Sequence, residues 1–168
     1  MFGVNDGGNS WRGDVTVQRI RFDGTVLASH STRLVVDRQS SGSIGIPDHV
    51  AVAGDPTGEL LVARACGGKS ALHFFRPDKD LVLPDPELRV RVFAHTDRSE
   101  VLIQPAALAR HVALQADRLS AGAVSDEALV TVLPGETFSF SVRDAASFTV
   151  EDLVSTGALQ HLAGIAST

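Results

Sequence analysis

Cysteine and aromatic side chains are scarce in this sequence, which has one cysteine, one tryptophan and no tyrosine. Because Cys66 stands alone, the chain can form neither an internal disulfide nor a multi-cysteine metal site. Sugar-binding modules usually present flat aromatic rings, and Trp11 has few aromatic companions with which to build such a platform. The apolar runs are also too short to cross a bilayer, so we expect no membrane partner.

Charge of either sign is not concentrated anywhere. The formal net charge is −5, and 20 acidic residues are interspersed with 15 basic ones. Without a basic stripe, a nucleic-acid partner is not expected. Met1 leads directly into Phe2 without the basic start, apolar segment and cleavage site of a secretory leader, and we therefore expect a cytoplasmic location.

The first half of the chain has the pattern of short strands. Val15 and Val17 alternate with polar residues, and Ile20 and Phe22 continue on the opposite parity, which predicts a bulge between the two pairs. Asp23-Gly24 between apolar runs predicts a hairpin. A second hairpin is predicted from residues 60–63 and 71–75, with its turn at residues 66–69.

The second half repeats this style. Leu129–Leu133 and Thr137–Val142 are predicted strands joined by a turn. Residues 106–119 have a helical composition but lack an N-cap, and we favour a short turn at 105–109 followed by a strand at 110–116. Residues 149–162 are a further candidate helix.

The segment Pro84-Asp-Pro86 joins the two halves. Proline is excluded from the interior of sheets and helices and favours an extended residue before it. The segment is therefore predicted to be a stiff connector. The predicted fold is all-β, with two consecutive immunoglobulin-like antiparallel β-sandwiches, one over residues 1–83 and the other over residues 84–168.

Motifs for known catalytic, metal or cofactor sites are missing. There is no Gly-x-Ser-x-Gly sequence and no His-Glu-x-x-His. Gly67-Gly-Lys-Ser70 resembles the end of a phosphate loop, but Ala63 stands where the first glycine is required, so a hairpin turn is favoured. We therefore predict no catalytic, cofactor or metal residue. The six histidines lack metal-ligand spacing: His30, His49, His73, His95, His111 and His161.

Paired carboxylates are the sharper possibility, because glycosidases need two carboxyl groups in one cleft. The sequence places no such pair on rigid facing elements. Solvated surface charge is therefore the favoured interpretation. The pairs in question are Asp85 with Glu87, Asp126 with Glu127, and Glu151 with Asp152.

A series of segments resembles the immunoglobulin-like domains that follow the catalytic barrel in β-mannosidases of glycoside hydrolase family 2. The resemblance covers essentially the whole chain and rests on the order and spacing of these segments. They are Val4–Asp6, Trp11–Gly13, Arg21–Leu27, His73–Leu81, Leu83–Leu88, Ala107–Asp117, Ser125–Asp126 and Leu133–Glu136.

The resemblance implies two sandwiches at the C-terminal end of an exo-acting β-mannosidase that removes terminal β-linked mannose with retention. The partners it implies are the catalytic barrel and the N-terminal domains of the same parent enzyme. The family's acid/base and nucleophile glutamates belong to the barrel, and no residue here matches them. Family domains also begin with a strand before Val4, for which Met1 leaves almost no room, so we expect a fragment whose first sandwich lacks an edge strand.

Two other interpretations stay open: a carbohydrate-binding module and an unrelated cell-surface pair of sandwiches. Trp11 is the candidate for contact with a sugar or with a neighbouring domain. Cover of the sandwich end or a contact to another domain is favoured over sugar stacking, because other exposed rings are lacking.

Overall fold

The computed structural model describes residues 1–66, 70–144 and 147–165. The fold is all-β and antiparallel, as predicted. The chain divides into two compact units, one formed by residues 1–21 and 25–82 and the other by residues 22–24 and 83–168. The turn predicted at residues 66–69 lies largely outside the described residues.

The first unit contains two antiparallel sheets. A four-stranded sheet has the order β3-β2-β5-β6, and a two-stranded sheet pairs β1 with β4. A helix of one turn, α1, and a 3₁₀ turn at Asp78–Asp80 complete the unit. The elements are β1 (Phe2–Asn5), β2 (Trp11–Arg21), β3 (Val26–Val36), β4 (Ser40–Ser43), α1 (Asp48–Ala51), β5 (Glu59–Ala65) and β6 (Ala71–Phe74).

The core of the first unit lies against one face of the four-stranded sheet. Its buried residues are Val15, Val17, Leu34, Val36, Val50 and Leu61. Met1, Ile44 and Ile46 pack against this cluster. The predicted bulge is confirmed, since the register of β2 against β3 shifts between Arg19 and Ile20. The hairpin at Asp23-Gly24 is confirmed as well, with Gly24 at a φ of +91°.

The second unit is built from two further sheets. One has the order β10-β12-β8-β7, and the other has the order β11-β9-β13. Its elements are β7 (Arg89–Ala94), β8 (Ser99–Gln104), β9 (Ala109–Leu114), a 3₁₀ turn (Ala116–Arg118), β10 (Val124–Ser125), β11 (Val130–Val132), β12 (Phe138–Arg143), α2 (Val150–Ser155), β13 (Leu159–Gln160) and α3 (Leu162–Ile165).

Alternation of apolar and polar residues positions the core of the second unit. Along β8, Val101 and Ile103 are buried while their neighbours are partly exposed, and Phe140 and Val142 do the same along β12. Phe138 meets Phe140 edge to face, with ring centroids 4.9 Å apart. These residues belong to one contiguous cluster with strand β9 and helix α2.

Two regions of uncertain pattern are resolved by the structure. The strand preferred over a helix at residues 110–116 is confirmed as β9. The candidate helix at 149–162 is wrong in length, because α2 ends at Ser155 and Gly157 takes a φ of +62° before β13 begins. In the described residues, no helix is long and apolar enough to span a membrane.

The connector around Pro84-Asp-Pro86 belongs to the second unit and has no regular secondary structure. Pro86 is fully buried, and its carbonyl accepts a hydrogen bond from the Ala106 N–H at 2.9 Å. The extended path ends at Glu87, which takes a φ of +45° while its N–H donates to the Asp85 side chain. The connector is therefore anchored to the unit that follows it.

Candidate functional site

Trp11 is the first residue of β2 and is half-buried. A Cβ atom on Gly13 would lie only 2.7 Å from the indole Cζ2, so the ring lies across this glycine. Trp11 also packs against the core cluster of the first unit. The structure therefore gives the ring an apolar support, while its contact with a sugar or a neighbouring domain stays a prediction.

Next to Trp11 lies an apolar depression that we call the β1 groove. It consists of two adjoining cavities of about 290 and about 310 Å³ that share Met1, Ala63 and Ala71 in their walls. One side is strand β1, and the other side is formed by β5 and β6. Both alanine side chains are small, and most of the other residues in the cavity walls are apolar.

Asn5 holds strand β1 in position. Its side-chain amide donates hydrogen bonds to the backbone carbonyls of Asn9, Val36 and Asp37 at 2.8 to 3.2 Å. Its Oδ1 accepts the N–H of Gly7 at 3.0 Å. One side chain thus ties β1 to the end of β3 and shapes the turn that follows β1.

An ion pair lies partly buried at the other end of β2. Arg19 Nη1 donates to Glu59 Oε2 at 2.6 Å, and the Glu59 carboxylate also accepts the N–H groups of Gly54 and Asp55. Burial raises the pKa of Glu59, but these hydrogen bonds, the one from Arg19 foremost, outweigh it and hold the pKa below its ordinary value of 4.5. The pair fixes the loop between α1 and β5 and has no free base for chemistry.

A polar cluster in the second unit brings a serine, a glutamate and a histidine together. Ser139 Oγ donates to Glu100 Oε1 at 2.6 Å, and His95 Nε2 lies 3.6 Å from Glu100 Oε2. The hydrogen bond from the Ser139 hydroxyl lowers the pKa of Glu100 most, and the contact with His95 lowers it further. The serine therefore faces a weakly basic carboxylate rather than an imidazole, so the cluster lacks the hydroxyl–imidazole relay of a nucleophilic serine.

The paired carboxylates of the sequence serve the local backbone. Asp85 accepts the N–H of Glu87 at 3.0 Å, and Asp126 accepts the N–H of Ser141 at 2.8 Å. Asp152 accepts the N–H of Thr149 at 2.7 Å in the capping box of α2. These contacts account for one carboxylate of each pair.

Metal ligands do not gather in the structure. Across residues 1–66, 70–144 and 147–165, no three His, Cys, Asp or Glu side chains form a group that could hold a metal ion. Cys66 is exposed at the end of β5. His73 is also exposed and contacts Phe75 edge to face, with ring centroids 5.5 Å apart.

Comparison with known proteins gives a likeness of fold. No protein-family model matches the chain, and no curated protein sequence matches it. Among solved structures, the crystal structure of a β-D-mannosidase from Dictyoglomus thermophilum aligns with 96% of this chain at a TM-score of 0.65 and 20% identity. The fold is shared with a β-D-mannosidase. The aligned part is 19% of that enzyme's chain.

A second solved structure with a similar fold is that of an exo-chitosanase. The exo-chitosanase CsxA from Amycolatopsis orientalis aligns with 95% of this chain and 24% of its own, at a TM-score of 0.51 and 16% identity. The present chain thus spans about a fifth to a quarter of the length of these structures. The fold expected from the resemblance to β-mannosidases is confirmed.

Sequence reasoning missed two features of the first unit, the Arg19–Glu59 ion pair and the β1 groove. The Arg19–Glu59 pair joins residues that lie forty positions apart. Strand β1, which forms one side of the β1 groove, pairs with β4, whose sequence Ser-Ser-Gly-Ser has little strand propensity. Only the apolar alternation of residues around them could have indicated a sheet at these places.

Proposed function

We propose that this chain is a non-catalytic accessory region of a larger retaining exo-β-mannosidase. In this proposal the parent enzyme hydrolyses terminal non-reducing β-D-mannose residues. The observation that carries the proposal is the fold likeness to a β-D-mannosidase over 96% of this chain and only 19% of that enzyme. The ordered motifs from Val4 to Glu136 support the same assignment.

The geometry of the described residues supports a non-catalytic role. Ser139 donates a hydrogen bond to Glu100. The lowered pKa of Glu100 makes this carboxylate a poor general base. Asp85, Asp126 and Asp152 accept backbone N–H groups close to them in the chain or on a paired strand. The resemblance to β-mannosidases of glycoside hydrolase family 2 implies that the chemistry belongs to two glutamates in the parent's barrel.

The partners in this proposal are the catalytic barrel and the N-terminal domains of the same parent polypeptide, in the cytoplasm. The two units would cover apolar surface of those domains and restrict the mouth of the active site. Exposed apolar side chains of the kind such a contact needs include Phe2 in the first unit and Val154 in the second, at 79% and 77% exposure.

An activity assay tests the non-catalytic part of the proposal. We expect the purified 168-residue chain to leave a chromogenic β-mannoside intact. The non-catalytic role would be overturned by hydrolysis faster than in buffer alone, if this activity co-purifies with the chain on two unrelated columns.

The open reading frame around this segment tests the parent. We expect it to encode a barrel with paired glutamates, and a frame without one contradicts the proposal. The parent should then be assayed with a β-mannoside and a β-glucosaminide side by side, because one of the similar folds is that of an exo-chitosanase. A preference for the β-glucosaminide contradicts the mannose assignment alone.

A carbohydrate-binding module is the second candidate, because Trp11 lines an open groove. As the only tryptophan in the chain, it makes fluorescence specific to this position. Titration with manno-oligosaccharides that leaves the emission unchanged excludes stacking on Trp11, and a saturable shift supports it.

A further inference from the structure

Two arginines lie side by side on the outward face of the sheet β10-β12-β8-β7. Residues at alternate positions of a strand share one face, and Val90 and Val92 of β7 pack against the core of the second unit. Arg89 and Arg91 therefore lie on the opposite face, where both are exposed. Their Cα atoms are two strand residues apart, which is about 7 Å.

The register of the sheet places a small hollow beside this pair. Arg89 lies opposite Gln104 of β8, and Arg91 lies opposite the partly buried Leu102. Both arginines and Thr137 line a hollow of about 150 Å³ on this face. The hollow is several times larger than the space that one water molecule needs, so a small polyatomic group fits into it.

The two guanidinium groups have no acceptor within residues 1–66, 70–144 and 147–165, where no hydrogen bond or ion pair joins them to another side chain. The nearest carboxylates are directed elsewhere. Glu100, diagonal to Arg91 on the same face, accepts the hydroxyl of Ser139. Glu87, two residues before Arg89, leaves the alternation of the strand through its φ of +45°.

Other strand arginines of this acidic chain have carboxylates beside them. On β2, Arg12 shares its face with Asp14, and Arg19 is paired with Glu59. Two neighbouring guanidinium groups repel each other, and an anion between them replaces this repulsion with attraction. The arrangement on β7 therefore has the charge of a binding site for a negative group.

We propose that Arg89 and Arg91 bind an oxyanion group, a phosphate, sulfate or carboxylate carried by a ligand. A guanidinium presents its N–H donors in a planar fork that fits two oxygens of such a group, and charge-assisted hydrogen bonds are stronger than neutral ones. The hydroxyl of Thr137, at the edge of the hollow, supplies a further donor. This site goes beyond the accessory role proposed above and does not depend on the parent enzyme.

Cover of Leu102 by the arginine stems is the structural alternative. Long arginine side chains can shield apolar surface while their charged ends stay in water. Such cover requires the methylene groups of the stem but no anion. Substitutions that change the charged end therefore separate the two roles.

Nuclear magnetic resonance of the ¹⁵N-labelled full chain tests the site, because the side-chain N–H of each arginine gives a signal of its own. The probes are inorganic phosphate, sulfate and D-glucuronate at constant ionic strength, with glucose as the neutral control. We expect the Nε–H signals of Arg89 and Arg91 to shift saturably, with a Kd of roughly 1–10 mM. Tighter binding of phosphate or sulfate assigns a tetrahedral group, and tighter binding of glucuronate assigns a carboxylated sugar.

Variants at Arg91 are compared with a matched variant at Arg12, which is also exposed on a strand. We expect Arg91→Gln to weaken phosphate binding about tenfold and Arg12→Gln to leave it within about twofold. Arg91→Lys keeps the charge but loses the fork, so its affinity should lie between those of the native chain and Arg91→Gln. Without anion, Arg91→Gln should unfold at the native midpoint, because no bond within the described chain is lost.

Three results would overturn the inference. Shifts at Arg89 and Arg91 that never saturate, or that the Arg12 signal matches, would show general screening. Equal weakening by Arg91→Gln and Arg12→Gln would show an effect of net charge alone. A lowered unfolding midpoint in Arg91→Gln with unchanged phosphate affinity would show that the stems only cover Leu102. Since no probe is a β-mannoside and no readout is activity, the site and the parent enzyme can fail separately.

Discussion

Glu59 accepts a hydrogen bond from Arg19 at 2.6 Å, and both side chains are largely shielded from solvent, at 6% and 15% exposure. The same carboxylate receives the N–H groups of Gly54 and Asp55. A buried ion pair stabilises a fold only while both partners keep their charge and their hydrogen bonds. The pair therefore connects the stability of the first unit to pH.

Acid is expected to destabilise the first unit by protonating Glu59. The folded pKa of Glu59 lies below its ordinary value of 4.5, so its stabilisation is complete above that value and is lost as pH falls through the folded pKa. Glu59→Gln should cost about 2 kcal/mol at neutral pH and reduce the acid dependence. Urea denaturation between about pH 7 and about pH 3 measures both effects.

Asp14→Asn is the matched control for Glu59→Gln. Asp14 pairs with Arg33 at 3.2 Å, but both side chains are more than 70% exposed. Exposed pairs contribute little, so this variant should behave like the native chain. An equal loss in both variants would show that net charge, rather than the Arg19 contact, sets the effect.

Gly13→Ala is expected to displace the indole of Trp11. The added Cβ would lie 2.7 Å from Cζ2 and 2.9 Å from Cη2, so this edge of the ring must shift away from residue 13. Crowding of this kind costs about 1–3 kcal/mol. Tryptophan emission should shift to longer wavelength and thermal stability should fall. Gly8→Ala, where a Cβ meets nothing within 4 Å, should change neither quantity.

Asn5→Ala should loosen β1. The variant loses the amide donors to the carbonyls of Val36 and Asp37, at a cost of about 1–2 kcal/mol. Asn5→Asp should cost more, because a carboxylate faces those same carbonyl oxygens. Denaturation midpoints of the two variants give the order, and a less damaging aspartate would contradict the assigned amide contacts.

Thr149→Ala should shorten or unravel α2. Thr149 Oγ1 accepts the N–H of Asp152, and the Asp152 carboxylate accepts the N–H of Thr149 in return. Loss of such a cap costs about 1 kcal/mol, and Thr149→Ser should restore most of it. The measured quantity is the free energy of unfolding of the second unit. If serine fails to rescue, the hydroxyl is not the stabilising group.

The sequence predicted those elements that are determined by residues close together in the chain. Asp23-Gly24 indicates a hairpin by itself, and the parity change between Val17 and Ile20 indicates a bulge. Strand β4 was missed because serine and glycine have little strand propensity, and it forms only through pairing with β1, about forty residues away. The helix expected to reach residue 162 ends early, because Gly157 adopts a positive φ.

The candidate site was less accessible from sequence for a related reason. Trp11 could be selected as the only tryptophan, but its support by Gly13 depends on how the ring folds back over β2. The β1 groove depends on how the β1–β4 sheet packs on the four-stranded sheet of the first unit. A groove of this kind arises from tertiary packing. The pattern of residues along a single strand does not predict it.

Each unit has a hydrophobic cluster of its own, one around Val17 and Leu61 and the other around Ile103 and Phe140. Two clusters of this kind allow each unit to melt as a separate cooperative block. Calorimetry of the chain should then show two overlapping heat-absorption peaks, and a calorimetric enthalpy larger than the van't Hoff value. Changes at Glu59 should move one peak, and changes at Thr149 should move the other.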